Sequence, residues 1–273
     1  MAVTRAVAGR IARKLSDAAA CSVVLNGATG TLHRGVLSVS FDDFPKTAWE
    51  AGGPLLGALG VKATYYVSGS LCGRRHEGLQ AYDEDDLAAV HEAGHEIGCH
   101  TYGHLHAASH PMGDYLASIE RNAAFLDERV PGWGGRSFAY PYGSAPARAR
   151  RAVAAHFGAC RSTMAGINHR RVDLSLLRAI GLERCRGSRI DVPRLIETAA
   201  RDRAWLIIYT HDVCERHSDY GCSPVELERT IRMAIAAGLE VRPVGAVAAA
   251  CFPPAAARFP DVPDLARMDA GER

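Results

Sequence analysis

Residues 36–43 read Val-Leu-Ser-Val-Ser-Phe-Asp-Asp, and two later stretches follow the same plan: Glu-Ile-Gly-Cys-His-Thr-Tyr-Gly-His at 96–104 and Trp-Leu-Ile-Ile-Tyr-Thr-His-Asp at 205–212. Each is a short, β-favouring run that ends on acid or imidazole. Further runs of this kind are Val61–Val67, Ser137–Tyr140 and Leu239–Val241. Helix-like stretches lie between most of them. Asp83 is an N-cap for a helix from Glu84 to Ala93 with Gly94 as its stop, and Met112–Val130 carries an apolar face at Leu116, Ile119, Ala123 and Leu126. Ser223-Pro224-Val225-Glu226 is a capping box that opens a helix ending near Gly238. Thr47–Leu59 is interrupted by Gly52, Gly53 and Pro54 and gives no clear element. Strands alternating with helices predict a parallel sheet covered on both faces. At this length the leading architecture is an α/β fold, a distorted (β/α) barrel in a single domain, with a doubly wound open sheet as runner-up.

The repeating pattern occupies residues 35–250, with an N-terminal extension at 1–34 and a Pro/Ala-rich tail at 251–273. Net charge is +2 and aromatics make up 7% of 273 residues, which argues against a nucleic-acid partner. No apolar stretch is long enough to span a membrane, and the N-terminus has no continuous apolar region before a cleavage site. Val3, Val7, Ile11 and Leu15 recur every four residues among Arg5, Arg10, Arg13 and Lys14. That spacing suits a helix packed on the domain or, as the second choice, peripheral contact with an anionic membrane. Eight scattered cysteines without a C-x-x-C pair suit reduced thiols. The expected location is cytoplasmic, with inner-membrane association as the variant.

Six of the 12 histidines fall between His91 and His110. His91-Glu92-Ala93-Gly94-His95 matches H-E-x-x-H in form. That motif needs an unbroken helix, and Gly94 falls where this helix stops. His100 and His104 fare better, because they follow a strand and α/β folds place active sites there. Asp42-Asp43 ends another strand and His211-Asp212 a third. Two histidines plus a carboxylate suit Zn²⁺ or another first-row divalent metal that activates water.

These blocks resemble the polysaccharide deacetylase family, the NodB-homology domain of carbohydrate esterase family 4. Ser40-Phe41-Asp42-Asp43-Phe44-Pro45 is similar to its T-F-D-D-G block, and Gly94–His104 to its G-H-E-I-x-x-H-[ST]-x-x-H block. Phe138-Ala139-Tyr140-Pro141-Tyr142-Gly143 resembles R-x-P-[FY]-G, and Tyr209-Thr210-His211-Asp212 resembles the final L-x-H block. The order is the family's.

The resemblance implies a barrel of about seven parallel strands. It implies that Asp43, His100 and His104 hold a divalent metal, Zn²⁺ first, with Co²⁺ or Ni²⁺ as alternatives. Asp42 would act as general base, His211 as general acid and the Tyr142 backbone N–H as oxyanion donor, with Pro141 and Tyr142 facing substrate. His95 and Glu96 read as structural, and Thr101 as orienting its loop. His106 and His110 read as loop histidines near the cleft, and His33, His76, His156, His169 and His217 have no assigned partner. Three departures stand out. Ala139 replaces the Arg expected to pair with Asp42, so Arg161 or Arg178 is the candidate replacement. No clear match exists for the Asp that orients His211, with Asp173 and Asp191 as candidates. Phe44 takes the place of a Gly. The implied activity is deacetylation of N-acetylated sugars in an oligosaccharide, polysaccharide or lipid-linked glycan. The alternatives are hydrolysis of a non-sugar amide (a formamide or cyclic imide) and a non-catalytic glycan-binding role.

Overall fold

The structure, a computed structural model, describes residues 23–185 and 190–253. Its strands are β1 Gly27–Thr29, β2 Val36–Phe41, β3 Thr64–Val67, β4 Arg75–His76, β5 Leu79–Gln80, β6 Glu96–Cys99, β7 Ser137–Ala139, β8 Ala159–Arg161, β9 Arg171–Asp173, β10 Ile180–Gly181, β11 Trp205–Thr210 and β12 Glu240–Val241. Its helices are α1 Lys46–Glu50, α2 Gly52–Ala58, α3 Glu84–Glu92, α4 Met112–Arg129, α5 Ala147–Ala154, α6 Val192–Asp202, α7 Pro224–Ala236 and α8 Val244–Cys251.

Seven strands run parallel in the order β10-β11-β2-β3-β6-β7-β8, and β12 pairs with the first half of β2. Residues 174–181 pass from one edge of this sheet to the other. Leu177 bridges to Arg161 on β8, and Ile180–Gly181 then joins β11. The sheet therefore curls into a distorted (β/α) barrel, as expected, rather than lying open. β1 pairs antiparallel with β9, so part of the expected N-terminal extension is fastened to the domain.

Every residue of β2 and β11 is buried, because both faces are covered. Alternate side chains serve different cores. Leu37, Val39, Phe41, Leu206 and Ile208 pack with residues of the flanking helices, including Leu56, Ile196 and Leu227. Val36, Trp205, Ile207 and Tyr209 pack with Val247 and Phe252. Phe252 stacks on Trp205 at 5.7 Å and is buried, and Cys251 ends α8, so the expected tail contributes its first two residues to the folded unit. The uncertain stretch after Phe41 is two short helices. Gly53 lies in the first turn of the second, where a Cβ would lie 2.3 Å from the Trp49 ring.

Glu96 ties together the opposite end of the barrel, where β3, β6 and β7 begin. It accepts from Ser137 Oγ (2.7 Å), Thr64 Oγ1 (3.0 Å) and Gly245 N (2.8 Å), which joins β7, β3 and α8. His95 accepts from Ala63 N at 3.0 Å and packs edge-on against Trp49 and Tyr65. Both residues are structural. The segment 3–15 and residues 254–273 lie outside the described residues. Among the described residues no helix is long and apolar enough to cross a membrane.

Candidate active site

The site forms where β2, β6, β7, β8 and β11 end. Asp42 N still donates to Thr210 O at 3.0 Å and continues the strand. Asp43 and Phe44 then turn left-handed, at φ 59° and 45°. The two adjacent carboxylates thus leave the chain in different directions. Thr101, His104, Tyr142 and Glu77 are also left-handed, so six of the seven non-glycine residues with positive φ among the described residues surround this cleft. Each costs about 1–2 kcal/mol, and such strain concentrates where side chains must be aimed. Thr101 Oγ1 accepts from Leu105 N at 3.0 Å, closing the loop that carries His104 as expected.

Asp43 Oδ1 lies 3.1 Å from His104 Nε2 and 3.5 Å from His100 Nε2, yet it is buried and accepts no hydrogen bond. His100 Nδ1 is 2.7 Å from Ala139 O. A carbonyl only accepts, so Nδ1 carries the proton and Nε2 turns its lone pair toward Asp43. Burial lowers the pKa of His100 and of His104 to about 4, which keeps both imidazoles neutral near pH 7. An orphaned buried carboxylate oxygen facing two neutral imidazoles fits a divalent metal. His76, which the sequence left without a partner, approaches Asp43 and His104: ligand atoms of these three lie within 4.8 Å of one another, a group that does not include His100.

Asp42 is held from the other side. Arg161 Nη2 donates to both of its carboxylate oxygens, and both residues are buried. Burial pushes the Asp42 pKa up, but the Arg161 charge, aided by His100 and His211, outweighs it and holds the carboxyl below its ordinary value. The guanidinium also lies over Tyr66 at 5.1 Å and Tyr209 at 4.7 Å. Arg161 is the register partner of Ala139 in the β7–β8 pair. Of the two candidate replacements, Arg178 does not take this place. It donates to Ala165 O at 3.1 Å, away from Asp42.

His211 places Nε2 4.0 Å from Asp43 Oδ2, with Nδ1 3.3 Å from Tyr220 O. Neither candidate Asp orients it. Asp173 binds Arg150 and the Leu25 and Asn26 amides, and Asp191 caps α6 through Arg194 N. The loop that presents the Tyr220 carbonyl is instead folded around buried Asp212, which accepts from Ser218 N (2.8 Å) and Ser218 Oγ (2.6 Å). Asp212, adjacent to His211 in sequence, thus supports the histidine through this loop, a role no sequence block marks.

Tyr142 is exposed at the rim, with its ring 4.5 Å from His104 and 5.6 Å from His106. Pro141 is buried and sets the turn rather than lining the cleft. His110 Nδ1 lies 3.0 Å from His106 O, and His91 ends α3 without reaching the site. The cleft, about 270 Å³, is lined by Asp42, Asp43, His100, His104, Tyr142 and His211 among others. It therefore brings an arginine-paired carboxylate, an Asp-His cluster that could hold a metal and a partly exposed imidazole around one space.

Residues 29–159 match the model of the polysaccharide deacetylase family. That span holds the first three sequence blocks, and the fold returns the fourth, at Tyr209–Asp212, to the same cleft. No curated protein matches the sequence. Among solved structures, the T48 deacetylase with substrate superposes with a TM-score of 0.55 at 14% identity, covering 81% of this chain and 94% of that one. The Bc1960 peptidoglycan N-acetylglucosamine deacetylase gives 0.55 at 14%, covering 80% and 90%. BA3943 of Bacillus anthracis, a CE4 family pseudoenzyme, gives 0.51 at 13%, covering 81% and 68%. The shared fold is that of the polysaccharide deacetylases. Since a pseudoenzyme shares it too, the fold alone does not decide activity.

Proposed function

We propose that this protein is a metal-dependent hydrolase that removes acetyl groups from N-acetylated sugars of an oligosaccharide, polysaccharide or lipid-linked glycan. The observation that carries the reading is the Asp42–Arg161 pair beside the Asp43, His100 and His104 cluster, with His211 facing the same carboxylate. Asp43, His100 and His104 would hold the ion, Zn²⁺ by preference and Co²⁺ or Ni²⁺ as alternatives. When bound, it supplies Lewis-acid polarisation and lowers the pKa of water. Asp42, kept ionised by Arg161, accepts the proton of the attacking water. His211 Nε2 delivers a proton to the departing sugar amine, and the Tyr220 carbonyl at Nδ1 fixes the ring's orientation. Tyr142 gives its backbone N–H to the developing oxyanion and its exposed ring to the sugar. The pairing of Asp42 with Arg161 supplies the charge that Ala139 lacks and favours the catalytic reading over a non-catalytic glycan-binding relative.

The test is acetate release from N-acetylated oligosaccharides together with metal content. Wild type is expected to hold about one equivalent of metal and release acetate. Asp43→Ala and His104→Ala should lose both by about 10²-fold or more. Full acetate release from both variants would overturn the reading.

A further inference from the structure

His76 sits on the β4–β5 hairpin, outside the barrel sheet, and no sequence block includes it. The hairpin turns through Glu77 and Gly78, both at positive φ (48° and 84°), the geometry of a tight two-residue type I′ turn. Its base is stitched down by backbone hydrogen bonds. Ala81 N donates to Arg74 O at 2.8 Å, Gly73 N to Tyr82 O at 2.7 Å and Tyr82 N to Phe44 O at 3.0 Å. The last of these joins the hairpin to the residue immediately after the two acids. Phe44 reinforces the join: its buried ring stacks on Tyr82 at 4.9 Å with planes 6° apart. The hairpin is thus anchored to the chain that carries Asp43.

The result places His76 Nε2 3.9 Å from Asp43 Oδ2, with the His76 ring 5.3 Å from that of His104. That nitrogen is buried and makes no hydrogen bond. The other oxygen of the same carboxylate, Oδ1, is the one that faces His104 and His100 and is itself unsatisfied. Buried polar nitrogen and oxygen atoms left without partners are costly, and a cation between them satisfies several at once. We propose that His76 is a fourth protein ligand to the divalent metal held by Asp43, His100 and His104. The inference rests on the metal-dependent reading above. The residues from the ends of β2 and β6 and the loop beyond thus gain a fourth from a hairpin, and that fourth also lines a neighbouring recess with Glu77, Leu79 and Asp219.

The test uses the full chain loaded with Co²⁺, whose visible absorption reports its donor set and geometry. His76→Ala is expected to weaken metal affinity, measured by chelator competition, by about tenfold or more and to change the Co²⁺ visible spectrum as water replaces imidazole. His76→Cys gives a second readout that does not depend on loss. It should introduce a sulfur-to-Co²⁺ charge-transfer band absent from the wild type. Unchanged affinity and visible spectrum in His76→Ala, with no new band in His76→Cys, would overturn the ligand assignment while leaving the metal reading standing. A raised KM at unchanged metal affinity would likewise overturn it, by making His76 a substrate contact. Wild type that binds no Co²⁺ would overturn both readings.

Discussion

Arg161→Met tests the physical core of the site. The substitution keeps much of the side-chain volume and removes the charge. Arg161 is fully buried and Asp42 nearly so, so the variant leaves a carboxylate in a low-dielectric space with only His100 and His211 nearby. Breaking a buried pair by removing one partner costs about 3–5 kcal/mol. With an m-value near 2.5 kcal/mol/M, that is a fall of about 1–2 M in the urea midpoint at pH 7. The pH dependence separates this cause from simple loss of packing. In the wild type the folded Asp42 pKa lies below its ordinary 3.8, so its contribution to stability is present above that value and lost as pH falls through the folded pKa. In the variant burial is left largely unopposed and the folded pKa moves upward, so Asp42 destabilises the fold at neutral pH. That penalty disappears below 3.8, where folded and unfolded chains both hold the proton. The gap between wild type and variant should therefore be widest near pH 7 and shrink toward pH 3. Asp42→Asn placed on Arg161→Met should recover part of the loss at pH 7. Acetate release should fall by about 10²-fold at pH 7, with the acidic limb of its pH profile moved to higher pH. A destabilisation that is constant from pH 3 to 7, with an unmoved acidic limb, would refute the assigned role of the pair.

Glu96→Gln should cost under about 1 kcal/mol at pH 5, since the amide oxygen can serve Gly245 N and Thr64 while the Ser137 hydroxyl rotates to accept. Burial raises the folded Glu96 pKa above 4.5, so wild-type stability declines as pH rises from that value through the folded pKa; thermal melts of Glu96→Gln between pH 5 and 7 should show a flatter decline. Asp212→Ala removes the acceptor that holds Ser218 and should loosen the Tyr220 carbonyl behind His211. It is expected to lower kcat by about tenfold with metal affinity unchanged, measured by steady-state kinetics and chelator competition.

The readable parts of the fold were those with enough residues to carry a period. β2 and β11 have six residues each, buried throughout, and announce themselves as apolar runs. β8, β9 and β10 have three, three and two, and β4 reads only Arg-His. Their pairing is set by what precedes them in space, which no local pattern encodes. The same limit governs the site. Asp42, Asp43, His100, His104 and His211 were legible because they terminate strands or follow them directly. Choosing Arg161 over Arg178 required the β7–β8 register, and His76 required knowing that a tight turn at Glu77-Gly78 folds back over Asp43. Histidine density was misleading in both directions. His91 and His95 sit inside the cluster and stand apart from the cleft, whereas His76 and His211 lie outside it and face the same carboxylate.

The departures at Ala139 and Phe44 have a common explanation, which is that a fold fixes where a group must arrive rather than which position sends it. In a parallel pair, register partners project to the same face, so Arg161 enters from β8 into the space an Arg at 139 would occupy from β7. Ala139 keeps the part of its role that any residue can fill, its carbonyl accepting from His100 Nδ1. Its small side chain is what leaves room for the neighbouring guanidinium between Tyr66 and Tyr209. At position 44 the exchange runs the other way. A glycine would adopt φ 45° without strain, and Phe44 bears about 1–2 kcal/mol for it. Its fully buried ring, stacked on Tyr82 and 4.8 Å from Tyr65, more than offsets that cost and secures the hairpin that carries His76. Counting matched letters in the blocks scores both positions as losses. Following the groups in space, the charge beside Asp42 is present and the acid-bearing turn has gained an imidazole, so a dead site cannot be inferred from Ala139.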